Sequence, residues 1–401
     1  MKTIKKPILL SPVANFEMLI AAIEGGADAV YLGVKGLNMR ESARNFSLKD
    51  LYKITKIAHE SKVKVYLTLN TICFDEEINK IKKTLISAKK AKIDGIISWD
   101  LGVIKLAKEQ KLEVHLSTQA SVSNSLSINE YKKLGVKRFV LARECSLDQI
   151  KKIIKNTKAD IEIFVHGAMC VAISGRCFMS HFLYGQSANR GKCIQPCRRE
   201  YVATDIETNK QLEIHNNFIL SPKDLCTLPF LEKILALNVS ALKIEGRGKS
   251  PEYVKVVTSV YREAIDLYFE KKLTSKRKEE LMHNLKTVYN RDFSDGFYLG
   301  KPINEWTDIR GSKATKTKTR IGKVTNYFRK IDVAEIKIEA KSLKINDEVL
   351  IIGPTTGVLE EKVKEMQLSK NHFTKIAKKG DLIAIKVKKR VRRNDEVYLF
   401  K

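Results

Sequence analysis

Four cysteines fall within 28 positions: Cys170 and Cys177 in HGAMCVAISGRCF, and Cys193 and Cys197 in CIQPCRREY. Thiolates grouped this closely can hold zinc or an iron–sulfur cluster, or can act as redox or nucleophilic groups. The first pair is separated by six residues and the second by three. Structural zinc favours two tight pairs, so the wide first gap suits it poorly. An irregular spacing on a long loop suits a [4Fe–4S] cluster better, with zinc and unliganded thiols as the alternatives. Of the seven cysteines, Cys226 follows in SPKDLC, while Cys73 and Cys145 stand alone and read as buried small hydrophobes. ISGRC and SANRGKC supply glycines for close backbone approach, and Arg176, Arg190, Arg198 and Arg199 would stabilise thiolates.

A second group of residues stands where apolar runs end: Asn70, Asp100, Gln119, Arg143, His166, Glu245 and Arg247. Strands end near water, which accounts for any one of them. Seven beside a cysteine loop suggest a site. His166 and Glu245 are candidates for proton transfer, joined by Gln119 and Asn70 as catalytic candidates. Arg143, Arg247 and Arg190 are candidates for holding a carboxylate. The nucleophile-elbow serine and the paired-histidine zinc-protease signature are both missing. GRGKS at 246–250 fails as a phosphate loop, because Lys243 stands where the upstream glycine is required.

The elements that must position these residues follow from periodicity. Eight short apolar runs begin with KPILLSP and end with SALKIEGR, and most are separated by helix-period segments. Strands apolar on both faces and alternating with helices imply a parallel sheet, and eight such units imply a (β/α)8 barrel. Residues 1–300 are assigned to it, with the cysteine loop as an insertion at about 167–225. Residues 301–320 read as a linker. Residues 321–401 alternate in short strands, as in a small antiparallel β-barrel.

The 401 residues are 43% hydrophobic, enough for a sizeable core. Net charge is +28, which favours polyanionic partners. Residues 313–401 carry 23 Lys/Arg against 11 Asp/Glu, so the charge is densest in the last domain. KVKKRVRR at 386–393 is either a charged edge strand or an RNA contact. The apolar run near the N-terminus is too short for a signal peptide, and no run is long enough to span a membrane. A cytoplasmic protein is expected.

EIFVHGAMCVAISGRCFMS, SANRGKCIQPCRREY, LSPKDLC and LKIEGRGKSPEYVKVVTSVYREAID closely resemble the collagenase-like peptidase family, U32. AAIEGGADAVYLG and LSTQAS match its N-terminal half. Pro12-Val13-Ala14 departs from the Pro-Ala-Gly turn of many relatives. The resemblance implies a [4Fe–4S] cluster on Cys170, Cys177, Cys193 and Cys197, with Cys226 a bystander. Better-understood members hydroxylate RNA bases or quinone precursors. Chains of this length with a C-terminal β-barrel resemble the branch that makes 5-hydroxyuridine at the tRNA wobble position with prephenate. The basic barrel would then dock tRNA, and the arginines would bind prephenate. The alternatives are a collagenase-like peptidase using Cys170 with His166, hydroxylation of another RNA base, and a non-catalytic RNA-binding factor with structural zinc.

Overall fold

The computed structural model describes residues 5–41, 45–212, 218–369 and 372–401. Part of the expected insertion, 213–217, lies outside the described residues, as do the first four positions.

The eight barrel strands are Ile8–Pro12, Ala29–Gly33, Lys64–Thr68, Gly95–Ser98, Val114–Leu116, Arg138–Val140, Asp160–Gly167 and Ala241–Ile244. Each lies parallel to its neighbour. The ring closes because the eighth pairs with both the first, Ile8 opposite Ala241, and the seventh, Glu162 opposite Ala241. The strands are Val-, Ile- and Leu-rich because both faces are covered. AVYLG at 29–33, for example, is buried at every position. Helices run back along the outside, and polar caps fix where they begin. Asn15, Asp100, Asn124 and Ser146 each accept a hydrogen bond from the backbone N–H three residues on. Asp100, expected at the site, is therefore a helix cap.

The barrel interior is not wholly apolar. Glu162 is fully buried, with Lys243 Nζ 2.8 Å from one carboxylate oxygen and Arg138 Nη1 3.7 Å from the other. Burial pushes the Glu162 carboxyl up, but the facing lysine and arginine outweigh it and hold the group below its usual range.

One irregularity matters for the site. Along the seventh and eighth strands, Phe164 is opposite Lys243, but His166 is opposite Ile244. Two steps on one strand match one on the other, which is a bulge. An extra residue reverses which side chains face inward from there on.

The insertion leaves the seventh strand at Gly167. It includes the helix Met179–Tyr184 and the 3-10 turns Ala188–Arg190 and Pro196–Arg198. It returns through the strand Asp224–Cys226, which pairs antiparallel with the end of the seventh strand.

After the barrel, an eight-stranded antiparallel sheet begins at Lys318–Phe328. It wraps its own core, which includes Ile321, Val324, Ile336, Val349 and Val397. Leu350, Ile352, Val358 and Phe400 belong instead to the barrel's core and form the seam between the domains. Gly357 sits against the helix Phe16–Glu24, where an added Cβ would meet Ile20 Cγ2 at 2.6 Å. Among the described residues, no helix is long and apolar enough to cross a membrane.

Candidate functional site

Two adjoining cavities open at the C-terminal ends of the barrel strands, where barrel enzymes place their sites. The inner one is about 40 Å³ and is lined by Tyr31, Asn70, Gln119, Arg143, Lys243 and Arg247, among others. A water needs ~10–15 Å³ by the same measure, so this space holds only a few waters. The outer cavity is about 280 Å³ and is lined by Cys170, Cys177, Cys193 and Cys197 together with Arg198, Lys249 and Arg291. Met39, Arg40, Gly175 and Glu245 line both and form the wall between them.

Glu245 follows directly on the eighth strand. Its Oε1 accepts from Arg40 Nη2 at 2.8 Å, and Tyr31 Oη lies 3.4 Å from Oε2. Burial alone would raise the Glu245 carboxyl. Arg40, Arg143 and Arg247 overcome that and bring it down to about 2. It is a fixed anion at neutral pH, a form that suits charge pairing better than the proton transfer expected of it.

Arg143 and Arg247 do converge. Arg143 lies with its guanidinium carbon 4.0 Å from the Phe164 ring centroid and donates to Ala168 O at 2.8 Å. Arg247 donates to Thr68 Oγ1 at 2.9 Å and Asn38 Oδ1 at 3.1 Å. Among the described residues neither forms an ion pair, and the Nε of each is buried without a hydrogen-bond partner. Burial lowers Arg247 to about 10, which still leaves it charged at neutral pH. Unsatisfied buried guanidinium donors beside an open space fit an anionic ligand. On the opposite wall, Ser117 Oγ donates to Gln119 Oε1, and Asn70 Oδ1 accepts from Met39 N at 3.3 Å.

Two expected site residues are elsewhere. Past the bulge, His166 turns outward and packs among Tyr253, Tyr261 and Phe293, with ring centroids 5.6 to 6.0 Å away. Burial lowers it to about 4, so it is neutral. Its ring nitrogen faces Tyr261 Oη at 3.5 Å, it is absent from the wall of the cavity that holds Cys170, and among the described residues the cysteine–histidine hydrogen bond a peptidase would use is not formed. Arg190 is a clamp rather than a ligand for substrate. Both of its terminal nitrogens bond the Glu77 carboxylate, Nη1 at 2.7 Å, and Nη1 also donates to Ile72 O. That pairing holds the insertion on the barrel.

The thiols face one another across the outer cavity. Burial raises Cys193 and Cys197, and proximity to the other thiols adds to this. They would ionise only against a cation or metal. Among the described residues no three ligand-type side chains converge on one ion-sized point. Four soft donors around a cavity of this size, with arginines on its walls, match the donor chemistry of an iron–sulfur cluster. Cys226 lies outside that cavity. Its Sγ is 3.8 Å from Tyr261 Oη, and burial pushes the thiol up to about 12.

Sequence reasoning missed Arg40, Tyr31 and Lys249. Arg40 sits on a loop seven residues beyond the second strand, too far on to read as a strand-end residue. Tyr31 was hidden inside an apolar run. Lys249 belongs to the discarded GRGKS stretch. Its Nζ lies 3.1 Å from the Tyr289 ring centroid. Burial lowers its amine to about 7, with Arg291 and Arg198 adding to the effect and Asp224 opposing it.

Residues 14–308 match the model of peptidase family U32. The chain belongs to peptidase family U32. Among curated relatives, a collagenase of Porphyromonas gingivalis is 43% identical over 98% of this U32 chain and 97% of its own length. An uncharacterised protease of Methanocaldococcus jannaschii is 44% identical over 98% of both chains. The tRNA hydroxylation protein P1 of Bacillus subtilis is 34% identical over 87% of this U32 chain and 84% of its own. The names of these relatives divide between proteolysis and RNA hydroxylation.

Proposed function

We propose that this U32 protein is a cytoplasmic RNA hydroxylase that converts the wobble uridine of tRNA to 5-hydroxyuridine, with prephenate as hydroxyl source. Cys170, Cys177, Cys193 and Cys197 would hold a [4Fe–4S] cluster, which when bound supplies one-electron chemistry. The observation that carries this reading is the shared wall. Arg40 and Glu245 separate the thiol-lined cavity from a cavity holding two guanidiniums that, among the described residues, make no direct ion pair and whose Nε donors are unsatisfied.

The chain's own residues then have separable tasks. Arg143 and Arg247 bind and orient the carboxylates of prephenate. Glu245 stays ionised and fixes Arg40, so the cavity discriminates anions by position as well as by charge. The inner space is too small for prephenate as it stands, so binding requires the Arg40 wall or the Ser174–Gly175 segment to move. Lys249, close to neutral pH in its titration, can hold or release a proton at Nζ on the thiol side.

The proteolytic reading has relatives' names in its favour. Against it, the best nucleophile–base pair the sequence offered is split by the bulge before His166. Nucleoside mass spectrometry of tRNA from cells with and without the gene tests the proposal. Loss of the 5-hydroxyuridine-derived nucleosides supports it. An unchanged profile in a strain with no second such enzyme overturns it, and hydrolysis of gelatin by the purified protein would favour the peptidase.

A further inference from the structure

A groove of about 590 Å³ lies in the C-terminal domain, lined by Tyr327, Arg329, Arg390, Arg392 and Arg393. Among the described residues none of these four guanidiniums forms an ion pair. Arg329, Arg390 and Arg393 are exposed. Glu335, the acidic residue on the lining, is engaged with Thr325 Oγ1 at 2.5 Å. Aromatic surface stands beside the charge. Tyr327 lines the groove, with its hydroxyl held by Asp332 at 2.5 Å. Unpaired arginine forks around a concavity are the chemistry that grips a nucleic-acid backbone, with Tyr327 at its wall.

The position of the groove is as informative as its chemistry. Lys318 begins the strand that leads there and pairs with Glu252, in the first turn of the helix after the eighth barrel strand, at 2.8 Å. That end is at the barrel mouth. The strand runs 11 residues to Phe328, roughly 35 Å at ~3.3 Å per residue.

We propose that this arginine groove is a second RNA-docking site, which holds phosphodiester backbone up to roughly 30 Å from the mouth. It rests on the RNA reading given above and adds that the substrate is an extended folded RNA gripped at two places. A loop presented alone would engage only the mouth.

The test uses the full chain with Arg390→Glu and Arg393→Glu combined, and measures binding of transcribed tRNA across a salt series. Binding should weaken at least tenfold, and the slope of log affinity against log salt should fall by about two. A short hairpin carrying only the target loop should bind wild type and variant alike. Arg390→Gln with Arg393→Gln should show a smaller loss at an unchanged urea midpoint, which separates lost contacts from lost folding. If wild type binds tRNA and both variants bind it equally well, the groove proposal fails and the RNA reading stands. If wild type binds no tRNA, the RNA reading itself fails and the groove falls with it. Variants that lose anionic vesicles but keep tRNA would overturn the proposal in favour of a membrane surface.

Discussion

Arg40 Nη2 and Glu245 Oε1 lie 2.8 Å apart and together separate the thiol-lined cavity from the barrel cavity. Replacing Glu245 by Gln leaves Arg40, Arg143 and Arg247 facing one another without their anion. Arg40 is about a third exposed, at 32%, so the loss should be smaller than for a fully buried pair, about 2 kcal/mol. Urea unfolding measures it. Hydroxylation should fall further than stability alone explains, and a stable variant with normal turnover would remove Glu245 from the site.

Arg247→Lys keeps a charge but loses the fork that reaches Thr68 and Asn38. We expect KM for the carboxylate co-substrate to rise at least tenfold, with a smaller effect on kcat. Steady-state kinetics at saturating RNA decides this. An unchanged KM would mean the carboxylate binds elsewhere.

The cysteines divide into two classes. Serine at Cys170, Cys177, Cys193 or Cys197 should lower iron and acid-labile sulfide in anaerobically purified protein. Cys226→Ala should leave both unchanged and cost about 1–2 kcal/mol, since that thiol contacts Tyr261, Met282 and the Leu228 backbone away from the other four. Iron lost from the Cys226 variant and retained in the other four would reverse the assignment.

His166 gives the protein an acid-sensitive core. Its unfolded pKa is near 6.5 and its folded value about 4, so the unfolded chain binds the extra proton between those values. Stability is therefore greatest above about pH 6.5 and falls by about 3 kcal/mol as pH drops to 4. Glu245 adds a further loss at lower pH, as its carboxylate is protonated between about 4.5 and 2. Urea midpoints from pH 7 to 4 should show the first fall in wild type and a flatter profile in His166→Phe.

Arg190→Lys should loosen the insertion, because one ammonium cannot make the two parallel bonds to Glu77. Limited proteolysis should then cut within residues 170–212 faster, with the barrel itself still resistant. Equal cutting rates would show that the clamp is dispensable.

How much of this was legible depended on the kind of signal. All eight barrel strands are visible as apolar runs because both faces of a barrel strand are buried, and SALKIEGR and IEIFVHGA place the closing pair directly. The antiparallel second domain follows from the alternation in VAEIKIEA and its neighbours. Arg143, Arg247, Gln119 and Asn70 were readable because strand ends in a barrel converge. His166 looked equivalent and was not, since a single extra residue in strand pairing leaves no mark in local composition. The interior Glu162–Lys243 pair was equally hidden: each residue looks like an ordinary charge until closure brings its strand beside the other. Arg40 depended on loop geometry that no periodicity encodes.

Gly191, with φ +80°, is where the cysteine insertion meets the loop bearing Arg40: an added Cβ would lie 2.2 Å from Asn38 O, and Gly191 O accepts from Glu41 N at 3.0 Å. The sulfur-bearing and arginine-bearing segments, about 150 residues apart in sequence, are thus one interlocked cassette. Grafting the insertion alone onto a foreign barrel would bring the thiols without the Arg40 side of their cavity, so the two pieces must be transplanted, and must diverge, as a unit.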